Sequence, residues 1–278
     1  MQQLHQLCTH LLADQSTVIL VDNTEAPYLY GHQLATGCSL ITLGRNTGIA
    51  HAQNVGIAAA TATGAEVLAF FDQDSTIETG LLRALVVHLN VGVADVVSPV
   101  CFDDASNTEL PSVRLNQFGI AFKVRRGNSL SPYPVDLVIS SGTVATREAF
   151  EVAGLFDDGL FMDNVDHEWC LRCRSRSVPI RVVPSAVMRH RIGTRWIRLG
   201  VVTVVVHSPI RCYYQIRNTF QMFRKRHVPF VFASREMAAV FLNRALLILF
   251  MDDKLAYAKA YLDGLRDGIK GVTGPKPG

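Results

Sequence analysis

The sequence predicts an α/β fold, a mostly parallel sheet flanked by helices, followed by a helical carboxyl-terminal extension. Three observations carry this reading. Short apolar runs alternate with helix-like stretches through the first hundred residues, as βα units require. Hydrophobic residues make up 49% of the 278, enough to bury one large core, or one core and a small appendage. Beyond Ser208, Tyr213, Ile216, Phe220 and Phe223 recur at three- and four-residue steps, the spacing of an amphipathic helix.

Taken in order, residues 18–21 form a buried strand that ends at Asp22-Asn23. Residues 46–60 open with Asn-Thr-Gly and continue in alanines, a turn feeding a helix. A second strand over 67–71 stops at Asp72-Gln73-Asp74-Ser75, and residues 77–89 have helical periodicity. A third strand covers 95–100. Residues 101–134 are polar and turn-rich, and 135–139 are a strand leading into Ser140-Ser141-Gly142. Helices follow over 147–153 and 165–174, with a strand over 180–183 before His190. Only the Gly/Pro-rich end, 271–278, reads as a flexible tail.

Composition excludes several classes of function. The net charge of +3 gives no reason to expect a nucleic-acid partner. Six cysteines lack the dense spacing of a secreted disulfide framework and fit a reducing cytoplasm. Cys170 and Cys173 have CxxC spacing, but they lie in a helical setting and there is no second pair to complete a zinc site. Residues 1–10 lack the features of a signal peptide. The longest apolar stretch, 237–251, is interrupted by Asn243 and Arg244 and falls short of the roughly 20 residues that span a bilayer. It can lie on a membrane without crossing it.

The chemistry starts at Asp72 and Asp74. Two carboxylates two positions apart at the end of a strand converge on one side, where open α/β sheets bind ligands. Alone, such a pair could equally cap the next helix. It stands, however, in an ordered series: Val-Asp22-Asn23; Gly44-Arg45-Asn46-Thr47-Gly48 with Asn54 and Gly56; Phe-Phe-Asp72-Gln73-Asp74-Ser75; Ser141-Gly142; Gly154-Leu155-Phe156-Asp157; Asp163-Asn164-Val165-Asp166-His167-Glu168-Trp169; and His190 followed by Gly193-Thr194. From about residue 15 to 230 this series resembles glycosyltransferase family two, inverting enzymes of the GT-A (Rossmann-like) fold. The Asp-Gln-Asp-Ser form, the Val-Asp-x-Glu-Trp helix and Tyr213-Tyr214-x-x-Arg217-Asn218 resemble its bacterial rhamnosyltransferase branch.

The resemblance implies a role for each matched residue. Asp22, Asn46, Gly48, Asn54 and Asp72 would bind the nucleotide. Asp74 and His190 would hold a divalent metal, Mg2+ or Mn2+, and Asp166 would be the catalytic base, with Glu168 taking a second acidic position. Ser141, Gly142 and Trp169 would face the acceptor. The expected division is a catalytic domain over 1–205 and a helical region over 206–270. In that region Arg211, Arg217, Arg224, Lys225 and Arg226 beside Phe220, Phe223, Phe230 and Phe232 point to contact with an anionic membrane surface, the alternative being a basic solvated helix packed on its own domain. The expected donor is dTDP-L-rhamnose, the acceptor a glycan or polyprenyl-linked saccharide, and the location the cytoplasm or the inner face of the membrane. One departure stands out: the chain opens, over 1–12, inside what resembles the family's first helix, so the family's first strand is missing. Either that strand lies upstream or the fold substitutes for it.

Two rivals remain at this level. Asp72-Gln73-Asp74-Ser75-Thr76 also satisfies the DxDxT pattern of haloacid-dehalogenase-type phosphatases, but no Gly-Asp-x-x-x-Asp follows. A non-catalytic sugar-nucleotide-binding or scaffold protein would suit the missing strand, but not the intact Asp72, Asp74, Asp166 and His190.

Overall fold

The computed structural model describes residues 2–25, 35–104, 106–190, 196–199 and 202–277. Gly193-Thr194 lies outside the described residues. The helices are α1 (Gln2–Ala13), α2 (Ile49–Ala62), α3 (Leu81–Val86), α4 (Arg147–Ala153), α5 (Val165–Ser175), α6 (Pro209–Arg224), α7 (Phe230–Phe250) and α8 (Lys254–Lys270). The strands are β1 (Val18–Asp22), β2 (Cys38–Thr42), β3 (Val67–Ala69), β4 (Val96–Asp103), β5 (Ser112–Leu115), β6 (Ala121–Val124), β7 (Tyr133–Val135), β8 (Val144–Thr146), β9 (Ile180–His190), β10 (Trp196–Leu199) and β11 (Val202–Val205).

The α/β architecture with flanking helices is the one predicted. A five-stranded sheet has the order β3-β8-β4-β9-β7, and β1-β2 form a separate pair. The parallel pairings are β1 with β2 and β4 with β9; β8 and β7 run antiparallel to their neighbours, so the sheet is mixed. Among the described residues β1 pairs only with β2, and β3 only with β8. The two sheets therefore share no strand, which is where a first strand would join them. Ala69 of β3 is left exposed at that edge.

Adjacent residues of β4 show why it reads as a continuous apolar run. Side chains alternate across a sheet, and Val96 and Val97 are both fully buried, in different clusters. Val96 joins the cluster built with Phe150, Trp169 and Cys170 of α4 and α5. Val97 joins Leu4, Leu7 and Leu11 of α1 and Leu81 and Leu85 of α3. Buried Asp14, just past α1, fastens that second layer by accepting hydrogen bonds from the backbone of Gly80 (2.6 Å) and Leu82 (3.0 Å), which caps α3. Thr146 caps α4 in the same way, accepting from Ala149 N.

Several boundaries differ from the sequence reading. The helix expected over 77–89 is regular only at Leu81–Val86. The strand expected at 135–139 is β7, displaced upstream, because the backbone of Asp136 and Leu137 is used by Val113 instead. The turn-rich segment holds the β5-β6 hairpin, and β9 runs on to His190 through a register shift at Pro99/Val100.

The carboxyl-terminal helices form one layer in which α6 packs on both α7 and α8. A Cβ on Gly268 would come within 2.3 Å of the Phe220 ring, so the absence of a side chain there lets α6 and α8 approach closely. No described helix is long and apolar enough to cross a membrane. Of the basic and aromatic patch predicted from the sequence, Arg211, Phe223, Arg224, Arg226 and Phe230 are exposed, while the other members are wholly or partly covered. Arg217 and Phe232 are buried, Arg211 and Lys225 pair with carboxylates, and Arg224 donates to the carbonyls of Gly268 and Ile269. The tail also departs from its predicted flexibility: Gly274 N donates to Gly159 O (2.8 Å), and Lys276 N to the Tyr214 hydroxyl (2.8 Å).

Candidate active site

The three residues best suited to a metal converge. One ligand atom each from Asp72, Asp74 and His190 lie within 4.8 Å of one another. His190 Nε2 is 3.9 Å from an Asp72 oxygen, and its Nδ1 is 4.0 Å from an Asp74 oxygen. Backbone pairing between Thr76 and Arg189, with hydrogen bonds of 3.0 Å each way, ties the Asp-Gln-Asp turn to the end of β9 and brings His190 there. His190 Nδ1 is buried without a hydrogen-bond partner in the protein. An orphaned donor atom facing two carboxylates is a set that suits a hard divalent ion. Burial pushes the Asp72 carboxyl above its ordinary range; His190 and Arg211 oppose this, while Asp74 and Asp166 add to it.

Ser141 and Gly142 lie beneath this turn rather than facing an acceptor. Ser141 is buried, shares a 2.6 Å hydrogen bond with the Ser75 hydroxyl, and accepts from the Asp72 N–H at 3.1 Å. Gly142 N donates to Phe70 O. Their work is to hold the acidic turn in shape.

The nucleotide side divides in two. Asp22 is buried at the end of β1 and its carboxylate accepts from the backbone (3.1 Å) and hydroxyl (2.8 Å) of Thr24. Asn23 accepts from Thr47 N (2.7 Å) and donates to Gly48 O (3.1 Å), while Asn46 accepts from Gly48 N (3.0 Å). This knits the ends of β1 and the 44–48 turn into one ledge. Gly48 has a positive φ of 87°, and a Cβ there would come within 2.5 Å of Phe161 O. Asn54, by contrast, spends its amide on Phe156 and Asp158. It clamps the loop before α5, with both its amide nitrogen and its oxygen bonded to that loop.

That loop leads into α5 and Asp166. Phe161, Asp163 and Asn164 all take left-handed φ values of 60–65°, a conformation that costs non-glycine residues on the order of 1–3 kcal/mol each. Two side chains of α6 hold it. Asn218 Nδ2 donates to the carbonyls of Leu160 (3.0 Å), Met162 (2.7 Å) and Asp163 (2.9 Å). Fully buried Arg217 donates to those of Gly159, Leu160 and Gly274. The Tyr-Tyr-x-x-Arg-Asn motif is thus a clamp on the loop that launches α5.

Half-buried Asp166 stands in the first turn of α5 and lines a small cleft with Ile139 and Ser140. Trp169, expected at the acceptor, is only 2% exposed: its Nε1 donates to Gly154 O and its ring stacks on Phe150. At best it is part of the cleft floor. Glu168 is buried and ion-paired with Arg172, Lys225 and His227. Burial alone would raise its pKa, but those partners hold it below the ordinary value. Cys170 and Cys173 are buried free thiols in α5, with no metal-binding partner among the described residues.

Arg211 was legible in the sequence only as a basic residue. In the structure its guanidinium grips Asp163 through both Nε (3.0 Å) and Nη2 (2.8 Å). Its positive field reaches Asp72 and feels Asp166. Arg211 is thus a cation coupled both to the acidic turn and to α5.

Comparison with known proteins bears on the family and the fold. Residues 4–153 match the model of Glycosyl transferase family 2. The dTDP-rhamnosyl transferase RfbF of Shigella flexneri is 35% identical over 276 residues, covering 99% of this chain and 93% of that protein. S. aureus TarS matches 98% of the chain with a TM-score of 0.54 at 14% identity. GalNAc-T7, solved with UDP, GalNAc and Mn2+, matches 84% with a TM-score of 0.51 at 13% identity. The chain spans about half the length of these two structures (47% and 51%), and at such identities they share with it the fold alone.

Proposed function

The chain belongs to glycosyl transferase family 2 and is a glycosyltransferase, and from that premise we propose that it moves L-rhamnose from dTDP-L-rhamnose, with inversion, to a polyprenyl-linked saccharide at the cytoplasmic face of the membrane. The near full-length likeness to a dTDP-rhamnosyl transferase is the observation that carries the donor. The cluster of Asp72, Asp74 and His190, separate from the carboxylate on α5, supports the chemistry.

In this reading Asp72, Asp74 and His190 would hold Mg2+ or Mn2+, which would supply positive charge against the leaving diphosphate. Asp22, Asn46 and Gly48 form the ledge for the nucleotide. Asp166 accepts the proton of the acceptor hydroxyl as its oxygen bonds to the anomeric carbon and the bond to the diphosphate breaks on the opposite face. Arg211 adds positive charge on the diphosphate side, and Asp163 fixes its orientation. The other nearby carboxylates suit the base role less well, since Asp163 is gripped by Arg211 and Glu168 is buried among cations.

The test compares dTDP-L-rhamnose with UDP-glucose and UDP-galactose as donors for the purified chain, with Mg2+, with Mn2+ and with chelator. Metal-dependent preference for dTDP-L-rhamnose is expected; much faster turnover of either UDP-sugar would refute the donor. Asp166→Asn should cut turnover about a hundredfold to ten-thousandfold while donor binding persists. Asp74→Asn should instead weaken metal-dependent donor binding. Near-normal turnover by Asp166→Asn would place the base on another carboxylate.

A further inference from the structure

Helix α8 has two faces of opposite character. Tyr257, Ala260, Gly264, Asp267 and Gly268 are buried against the rest of the layer. On the other side Leu255 is 85% exposed, Leu262 63% and Ile269 60%. At 3.6 residues per turn these three, with Lys259 and Arg266 between them, fall within about 80° of arc. The order along the stripe is Leu, Lys, Leu, Arg, Ile, and Lys270 continues it. Exposed Leu249 and Phe250 end α7 next to the start of this helix.

Large aliphatic side chains so exposed, repeating every seven residues along one line, cost free energy in water and are unlike the scattered apolar residues of an ordinary surface. Interleaved basic residues tell what would cover them. A second protein surface would bring apolar side chains and leave the lysines to be desolvated; a lipid leaflet accepts leucine below the headgroups and lysine among their phosphates. The acidic residues of α8 are engaged: Asp267 is buried and bonded to Tyr213 and Arg266, and Asp263 binds Lys276 and pairs with Arg266 at 3.4 Å, so the stripe's positive charge toward a leaflet rests on Lys259 and Lys270.

We infer that the Leu255, Lys259, Leu262, Arg266, Ile269 face of α8 is a docking surface for an anionic lipid leaflet. It is distinct from the aromatic and basic patch expected from the sequence, of which Arg217 and Phe232 are buried while Phe223, Arg226 and Phe230 stay exposed. The contact also lies close, through the chain, to the active site. From α8 the chain turns at Gly271 and docks at Gly274 on Gly159 and Arg217, the same clamp that holds the loop before α5. A leaflet seated on α8 would thus present a lipid-linked acceptor near that loop. This inference rests on the proposed function only in taking the acceptor to be membrane-borne.

The experiment is flotation of the full chain with vesicles of phosphatidylcholine alone, and with phosphatidylglycerol added, at low and high salt. Retention on the anionic vesicles, weakened by salt, is expected. Leu255→Ser/Leu262→Ser/Ile269→Ser and Lys259→Glu/Lys270→Glu should each lower retention about tenfold or more. Both sets of positions are exposed, so circular dichroism and donor hydrolysis in vesicle-free solution should match the parent chain. Retention unchanged in both variants, or equal on neutral and anionic vesicles, would overturn the inference. So would a dimer in sedimentation that the serine variant abolishes, without vesicle binding by the parent. Donor hydrolysis reports on the proposed function independently, so either idea can fail alone.

Discussion

At the scale of single residues, the site is set by what each carboxylate touches. Asp72 and Asp74 face a histidine, Asp163 an arginine, Glu168 an arginine, a lysine and a histidine, and Asp166 the cleft. These surroundings divide four acidic roles among residues that sequence spacing leaves nearly equivalent. Glu168 shows the energetic side. A buried carboxylate is stable only through its partners, and removing one member of such a group leaves the others uncompensated, at a cost of about 3–5 kcal/mol. Glu168→Gln should therefore lower the stability measured in urea by about that amount at neutral pH. The sign with pH follows from the depressed pKa of Glu168. Its stabilisation is present above the ordinary glutamate value and is lost as pH falls through its own lower one. The gap between parent and variant should narrow toward acid; a gap that stays constant from neutral to acid pH would count against this account.

At the scale of elements, α5 is aimed by α6. The loop before α5 holds three strained residues, and strain persists only where surrounding contacts over-determine it. Asn218 supplies three of those contacts from one amide nitrogen. Asn218→Ala should cost about 1–3 kcal/mol in stability. It should also lower kcat by about tenfold or more, because an Asp166 displaced by a fraction of an ångström loses alignment with the acceptor. The donor KM should change little, since the acidic turn is held by Ser141 and by β9 instead. A variant with reduced stability but unchanged kcat would show that the clamp supports the fold without positioning the base. The Tyr-Tyr-x-x-Arg-Asn motif was visible in the sequence, but its task was not: an arginine and an asparagine on a helix read as surface residues until a strained loop is found bonded to them.

At the scale of the whole molecule, the sheet is in two pieces. The β4-β9 ladder is buried in the middle of the larger piece, whereas among the described residues β1-β2 pairs with no other strand and β3 is paired only with β8. Protection of amides follows burial and pairing. Hydrogen exchange should be slowest at Val96–Asp103 and its β9 partners, and faster in Val18–Asp22. Equal protection in β1 and β4 would mean that the β1 edge is covered by a partner strand. The sequence by itself determined the fold class, most of the early elements, the family, and Asp72, Asp74 and His190 as a set, because strand-end carboxylates and alternating apolar runs are local patterns. Tertiary structure alone decided which motif side chains are left open and which are bonded into support. Ser141, Asn54 and Trp169 match the family's site yet are spent on support, and Arg211 lies at the site without belonging to any motif. It alone also decided which basic and apolar residues form a surface. The physical reason is that a side chain's role depends on which distant backbone groups leave it buried, bonded or free, and that is fixed only when elements far apart in the chain pack together.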